Sequence, residues 1–394
     1  MESTRPGAHQ GLSIHPKIHQ KEMMETMSLT GKKIWVDLEH QKAGIMLYSL
    51  FKRLENEGAE LLITGRDIGN NRQVMDELGL NYIMVGKHGG EKLEDKLAAY
   101  IERLELLLPR VKQFQPDHFL TFNSVEGLRI SFGLRIPSIS FNDEPRSTAV
   151  GRLTLPITDM VITPECVPED LYLQLGASRD RMIRYNGIDE IAWISEYTPK
   201  GDILDVMDVT KGEYVLMRTE MTHTEYLRDV MRPEETYITR FLPAIYREFP
   251  NHKYFLLPRL DSQFEYLNKK FEDYDPAHVI VTKFVPRLDD FMFYSAFVAS
   301  GGGTIVRESS LMDIPSIEFF PGESAPQEHF LVDNGFPLWH IKDFDEVASK
   351  ANDILAAGPG KERFTEAFKE RLKDYENPNE VCFQAIANRL PETT

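Results

Sequence analysis

Three consecutive glycines stand in the run Ser300-Gly301-Gly302-Gly303-Thr304, between an apolar segment at 297–299 and a helical pattern over 305–312. Glycines let a backbone come close to a ligand, and the start of the following helix offers unpaired amides and the positive end of a dipole. The combination suits a phosphate. Glu308 falls within the first turns of the same helix, where a carboxylate can receive the two hydroxyls of a ribose while the glycines face a diphosphate. Neither standard nucleotide fingerprint is present, because no Walker lysine follows the glycines and no acidic residue closes a following strand. The competing possibility is an unliganded strand-to-helix turn with Arg307 and Glu308 as a solvated pair.

Cations and proton carriers recur after other apolar runs. Arg218, Arg259, Lys283 and Arg287 each follow a candidate strand in the C-terminal half, and Arg66, Lys87 and His88 do so in the N-terminal half, where Gly89-Gly90 permits close approach of a second substrate. For proton transfer the candidates are Asp37, Glu39, His40, His88, Asp143 and Glu144, all near strand ends. Any reaction that deprotonates a hydroxyl needs a carboxylate or histidine within reach to take the proton. Structural roles compete: Asp37 as a helix cap, His40 as a solvated loop residue, and Asp143 with Glu144 as shapers of the turn before Pro145. No histidine and carboxylate cluster has metal-site spacing, and no Gly-x-Ser-x-Gly elbow is present.

Alternating short apolar runs and amphipathic stretches must position these groups. Strands are expected at 34–38, 59–64, 82–85, 118–122, 138–141, 160–163 and 182–185, with helices at 43–57, 70–78, 91–114 and 125–133 and one begun by Pro164-Glu165. After a polar crossing at Pro199-Lys200-Gly201-Asp202 a second series follows, with strands at 214–219, 254–258, 278–282, 297–300, 316–320 and 338–341. The tail, 361–390, is helical with a break at Asn377-Pro378-Asn379, and its last helix is a candidate to pack back across the junction. Alternation of this kind gives parallel sheets with helices on both faces, and ligands sit beyond the carboxyl ends of the strands.

With 394 residues the chain exceeds one ordinary core, so two domains are expected, 32–190 and 191–394, after a flexible leader at 1–31. A net charge of −17 disfavours nucleic acid and anionic membranes, so an anionic ligand needs a local positive field. No apolar run approaches a membrane span. Cys166 and Cys382 form no disulfide framework or metal motif, which together with the lack of a signal-peptide core suggests the cytoplasm. Monomer and homodimer both stay open.

The glycine run with Arg307-Glu308, Pro315 and Pro321-Gly322 resembles a largely archaeal family of unknown function related to the GT-B superfamily. Matching pieces include Trp35-Val36-Asp37, Thr64-Gly65-Arg66-Asp67, Gly86-Lys87-His88-Gly89-Gly90, Phe141-Asn142-Asp143, Thr163-Pro164-Glu165 and Tyr185-Asn186-Gly187-Ile188-Asp189-Glu190, and the resemblance spans about residues 32 to 390. It implies two Rossmann-like domains facing a cleft, with a nucleotide sugar, UDP-type first, bound mainly by the C-terminal one as a substrate rather than a tightly held cofactor. In that alignment of motifs Gly301, Gly302 and Gly303, leading into Thr304, match the diphosphate loop and Glu308 the ribose carboxylate. The threonine-histidine-arginine motif of the related non-hydrolysing UDP-N-acetylglucosamine 2-epimerases is replaced by Asp37-Leu38-Glu39-His40-Gln41-Lys42, and the glycine-rich loop of MurG-type transferases by Arg218-Thr219-Glu220. A glycosyltransferase acting on an unknown acceptor is therefore expected first, an epimerase or hydrolase second, and a non-catalytic nucleotide or sugar binding protein third.

Overall fold

The computed structural model of the protein describes residues 29–90, 92–220, 231–358 and 365–388. Most of the expected leader, and the stretch 361–364 where the tail helix was expected to begin, lie outside the described residues. Strands β1 Lys33–Leu38, β2 Glu60–Asp67, β3 Tyr82–Lys87, β4 His118–Phe122, β5 Ser138–Phe141, β6 Met160–Pro164 and β7 Met182–Tyr185 make one sheet in the order 3-2-1-4-5-6-7. Strands β8 Tyr214–Arg218, β9 Lys253–Leu257, β10 Val279–Val281, β11 Val298–Ser300, β12 Ser316–Glu318 and β13 Leu338–His340 make a second in the order 10-9-8-11-12-13. Every pairing is parallel.

Burial explains why the strands read as continuous apolar runs rather than alternating ones: β4 and β5 are buried along their whole length, as a sheet covered on both faces requires. The helix Gln41–Asn56 turns Ala43, Met46, Leu47, Leu50 and Leu54 onto one face of the first sheet, at the three and four residue spacing of an amphipathic helix. Helices Leu93–Phe114 and Val125–Leu134 cover the other face around Trp35, Val85, Leu107 and Phe119. Over residues 185–194 the chain serves both cores: Tyr185 and Ala192 pack with the first sheet, while Ile188, Ile191 and Ile194 pack with the second. The last helix, Pro378–Asn388, returns to the helix Gln41–Asn56, where Asn379 Nδ2 donates to Met46 O at 2.7 Å and Ser49 Oγ at 2.9 Å.

Two local expectations are corrected and one element is added. Pro164 closes β6 instead of opening a helix, and the helix that follows, Glu169–Leu173, starts after Pro168. The helix Gln41–Asn56 begins two residues early because His40 Nδ1 caps Ala43 N at 3.3 Å. A helix over Thr148–Thr154, between β5 and β6, had no clear periodic signal.

Candidate functional site

In each sheet the strand order reverses beside the first strand, between β1 and β4 and between β8 and β11. Parallel sheets open a crevice at such points. In the second sheet Arg218 ends β8 directly opposite Ser300, which ends β11, so the glycine run emerges from the crevice itself. The helix starts at Gly303, with Gly302 at its cap, and runs to Leu311.

The three glycines have different reasons to be there. None has a positive φ, so space rather than backbone freedom selects them. A Cβ on Gly301 would stand 3.0 Å from the backbone of Glu220, and one on Gly303 would collide with Glu328 Oε1 at 1.9 Å. At Gly302 the nearest atom is Arg259 Nη2, 3.0 Å away, and no other residue comes within 3.8 Å. Gly302 is thus the glycine that faces a guanidinium.

Arg259 is held over the loop by its Nε–H, which donates to Thr219 O at 2.8 Å. Burial, and then the neighbouring Arg218, push its pKa down to about 9. Burial also lowers Arg218, against the pull of Glu308. Neither arginine has an ion-pair partner within 4 Å among the described residues. Two half-buried guanidiniums therefore repel one another beside a glycine loop and a helix N-terminus, an arrangement that an anion relieves. Glu308, half-buried on the same helix, has its pKa raised well above the carboxylate range by burial and then by Asp289 and Glu190. Thr304 lies one turn before it, and its Oγ1 receives a long 3.4 Å contact from Arg307.

Arg307 points the other way, toward the first sheet. Its Nε lies 3.2 Å from Glu190 and 3.5 Å from Glu328. Across the seam Lys42 Nζ meets Asp143 at 2.6 Å, Asp189 at 2.8 Å and Glu190 at 3.8 Å. Gln327 Nε2 donates to Asp143 O at 2.7 Å, tying the helix Pro326–Asp333 to the end of β5. Four buried carboxylates thus share two cations. Burial would lower Lys42, yet Asp143, Asp189 and Glu190 hold it raised. Against burial, Lys42 and Arg307 hold Asp143 below the usual carboxylate range. Burial pushes Asp189 up to about 7 despite Lys42, and Glu328 up to about 7 despite Arg307.

Other expected site residues fall elsewhere. Asp37 is fully buried and saturated: both Arg103 Nη atoms donate to it at 3.0 and 2.8 Å, Ser124 Oγ at 2.5 Å and Thr64 Oγ1 at 2.6 Å. It anchors β1, β2, the helix Leu93–Phe114 and the start of the helix Val125–Leu134, and is closed to a substrate. Glu39 is raised by burial, countered by Arg66 and reinforced by the neighbouring Glu126 carboxylate. Arg66 is neutralised by Glu39 at 3.2 Å and Glu126 at 3.6 Å. His40, with pKa lowered to about 4 by burial and then Lys42, accepts Ala43 N–H at Nδ1. Its proton then sits on Nε2, which makes it a donor and not the expected base. Lys87 and His88 are exposed at the end of the edge strand β3, away from the seam. Lys283 pairs with Asp261 at 2.6 Å beside the edge strand β10, and Arg287 with Asp202 at 2.7 Å, so neither adds to the field around the glycines. Glu144 pairs with Arg146.

Sequence reasoning missed Lys42, Asp189, Glu190, Arg307 and Glu328 as one cluster. Asp189 and Glu190 follow β7 and carried the usual strand-end signal, but Lys42 lies 147 residues before Asp189, and only the fold joins them. Among the described residues no group of three or more metal-ligating side chains is assembled, and no helix is long and apolar enough to cross a membrane.

The comparisons with known proteins agree with this architecture. An uncharacterised protein of Methanocaldococcus jannaschii, MJ0665, is 25% identical over 368 residues, 91% of this chain and 98% of that one. The structure of a UDP-GlcNAc 2-epimerase from Neisseria meningitidis bound to UDP-GlcNAc superposes with a TM-score of 0.62 at 12% identity, over 90% of this chain and 99% of the epimerase. A glycosyltransferase of kitacinnamycin superposes with a TM-score of 0.54 at 12% identity, over 91% and 99% of the two chains. These likenesses are to the GT-B fold, which this chain shares. Over residues 32–390, nearly its whole length, the chain matches and belongs to the family described as proteins of unknown function, DUF354.

Proposed function

We propose that the protein is a nucleotide-sugar-dependent enzyme of the glycosyltransferase type that takes its donor, a UDP-sugar first, on the second sheet. The observation that carries this is the pair Arg218 and Arg259, half-buried and without a carboxylate within ion-pair distance among the described residues, with Arg259 over Gly302 at the start of the helix Gly303–Leu311 and Arg218 at the strand end opposite Ser300. The diphosphate takes the guanidiniums and the helix amides, and Glu308 takes the ribose hydroxyls. The sugar then faces the seam, where Asp143 is the one expected proton carrier adjoining the second sheet. Lys42 bridges Asp143 to Asp189, whose pKa of about 7 suits a base, and the two carboxylates act as one unit on the acceptor hydroxyl.

Calorimetric titration with UDP, UDP-GlcNAc, GDP-sugars and nucleoside monophosphates tests this, with Gly302→Val and Glu308→Ala as controls. Diphosphate-dependent binding lost in both variants supports the proposal. No binding of any nucleotide by the folded protein refutes it. The overlap with UDP-GlcNAc 2-epimerases favours a second possibility, conversion of the sugar without an acceptor. Turnover of a bound UDP-sugar in the absence of any acceptor would select it.

A further inference from the structure

The helix Leu93–Phe114 carries more apolar surface than its own chain covers. At 100° per residue Leu93, Leu97, Ile101 and Leu108 fall within an arc of about 80°, beside the buried arc of Arg103, Leu107 and Val111. Leu93 is 82% exposed and the other three at least 39%. Tyr100, one turn from Leu97 and Leu104, neighbours Glu126 and Arg129, which leads the stripe onto the helix Val125–Leu134 and its exposed Phe132. The helix Thr148–Thr154, packed on that one, adds an exposed Leu153. Together these six side chains expose on the order of 600 Å² of apolar surface, at the upper end of what a monomer leaves in one patch and most of the roughly 800 Å² per partner of a standard interface.

Charge selects the occupant. Glu94 and Glu105, with the single cation Lys112, flank the stripe on the long helix, whereas Arg129 and Arg152 lie on the two shorter ones and Arg135 caps the nearer of them. All six are exposed, none forms an ion pair within the chain among the described residues, and the long-helix flank is acidic on balance. A surface acidic on one side and basic on the other, with an apolar centre, is complementary to itself after a two-fold rotation, which lays the acidic flank of one copy against the basic flank of the other. We propose that this face of the first sheet's helices is the interface of a homodimer. It lies on the side of the sheet opposite the helices Gln41–Asn56 and Pro378–Asn388, so both seams and both glycine loops stay open in the dimer.

Light scattering on the full chain after size exclusion tests this. The expected mass is twice 45.4 kDa at micromolar concentration. Leu97→Glu/Phe132→Glu is expected to halve it while the far-ultraviolet dichroism is unchanged. The exposed charge variants Glu105→Arg and Arg129→Glu leave the core alone. Each by itself is expected to raise the dimer dissociation constant at least tenfold, and the combined variant to recover most of that loss. A mass of 45.4 kDa for the unaltered protein, a dimer that survives Leu97→Glu/Phe132→Glu, or no recovery in the combined variant would overturn the proposal.

Discussion

Arg259→Gln separates a ligand-binding arginine from a structural one. In the unliganded protein Arg259 is a liability, because burial and Arg218 lower its pKa to about 9, so folding with the proton attached costs free energy. A depressed arginine destabilises wherever it is protonated in both states, that is, at all pH below about 9, so the cost is fully present at neutral pH. Glutamine removes that cost together with the Nε–H bond to Thr219 O, itself worth about 1 kcal/mol. The two changes oppose one another, and because burial and Arg218 together depress the guanidinium by more than one hydrogen bond returns, the unfolding free energy of the unliganded protein is expected to hold or rise, and not to fall by more than about 1 kcal/mol. Binding behaves differently. A charge-assisted bond to a phosphate oxygen contributes about 1.5 to 3 kcal/mol, so the dissociation constant for UDP should rise about 10- to 150-fold. Urea denaturation without ligand and calorimetry with UDP measure the two quantities on the same preparation. Unchanged affinity would refute the assignment of Arg259 to the diphosphate, and a stability loss above about 3 kcal/mol would show instead that it is a buried scaffold residue.

Two further outcomes are expected. Arg103→Met strands the fully buried Asp37 carboxylate with only Ser124 and Thr64, and should destabilise the protein by about 3 to 5 kcal/mol in urea unfolding without altering nucleotide affinity of the folded fraction; a loss below about 1 kcal/mol would mean the pair is no anchor. Asp189, raised to about 7 from an ordinary aspartate value, binds its proton more tightly when folded, so its contribution to stability declines as pH rises from about 4 to 7. Asp189→Asn should remove that decline, seen as a smaller difference between midpoints at pH 5 and pH 8, and an unaltered difference would place the titration elsewhere.

Much of this molecule is legible without coordinates. Buried parallel strands have to be continuous apolar runs, and all thirteen are visible as such, with ends misplaced by up to three residues, the most at β2, whose polar end Gly65-Arg66-Asp67 continues the strand. The glycine run is legible because its signal is local, with strand end, loop and helix start consecutive, whereas the reasons a Cβ is excluded at Gly301 and Gly303, namely Glu220 and Glu328, lie on other segments and only the fold brings them there. Arg218 and Arg259 were named by strand-end position, but so were Lys283 and Arg287, and the sequence has no means of ranking them. The strand order ranks them: β8 and β9 lie at or beside the reversal point, while β10 lies at the edge, where Asp261 and Asp202 neutralise the other two cations. Asp37 shows the same limit from the other side. A carboxylate at the end of a first strand suits a catalytic base as well as an anchor, and its partner Arg103, 66 residues away inside a helix, decides for the anchor. The seam cluster is the extreme case. Asp143, Asp189 and Arg307 each carry a local signal, but nothing in the chain joins them to one another or to Lys42 and Glu328, and their shifted proton affinities exist only because two sheets close on one another and exclude water from the charges between them.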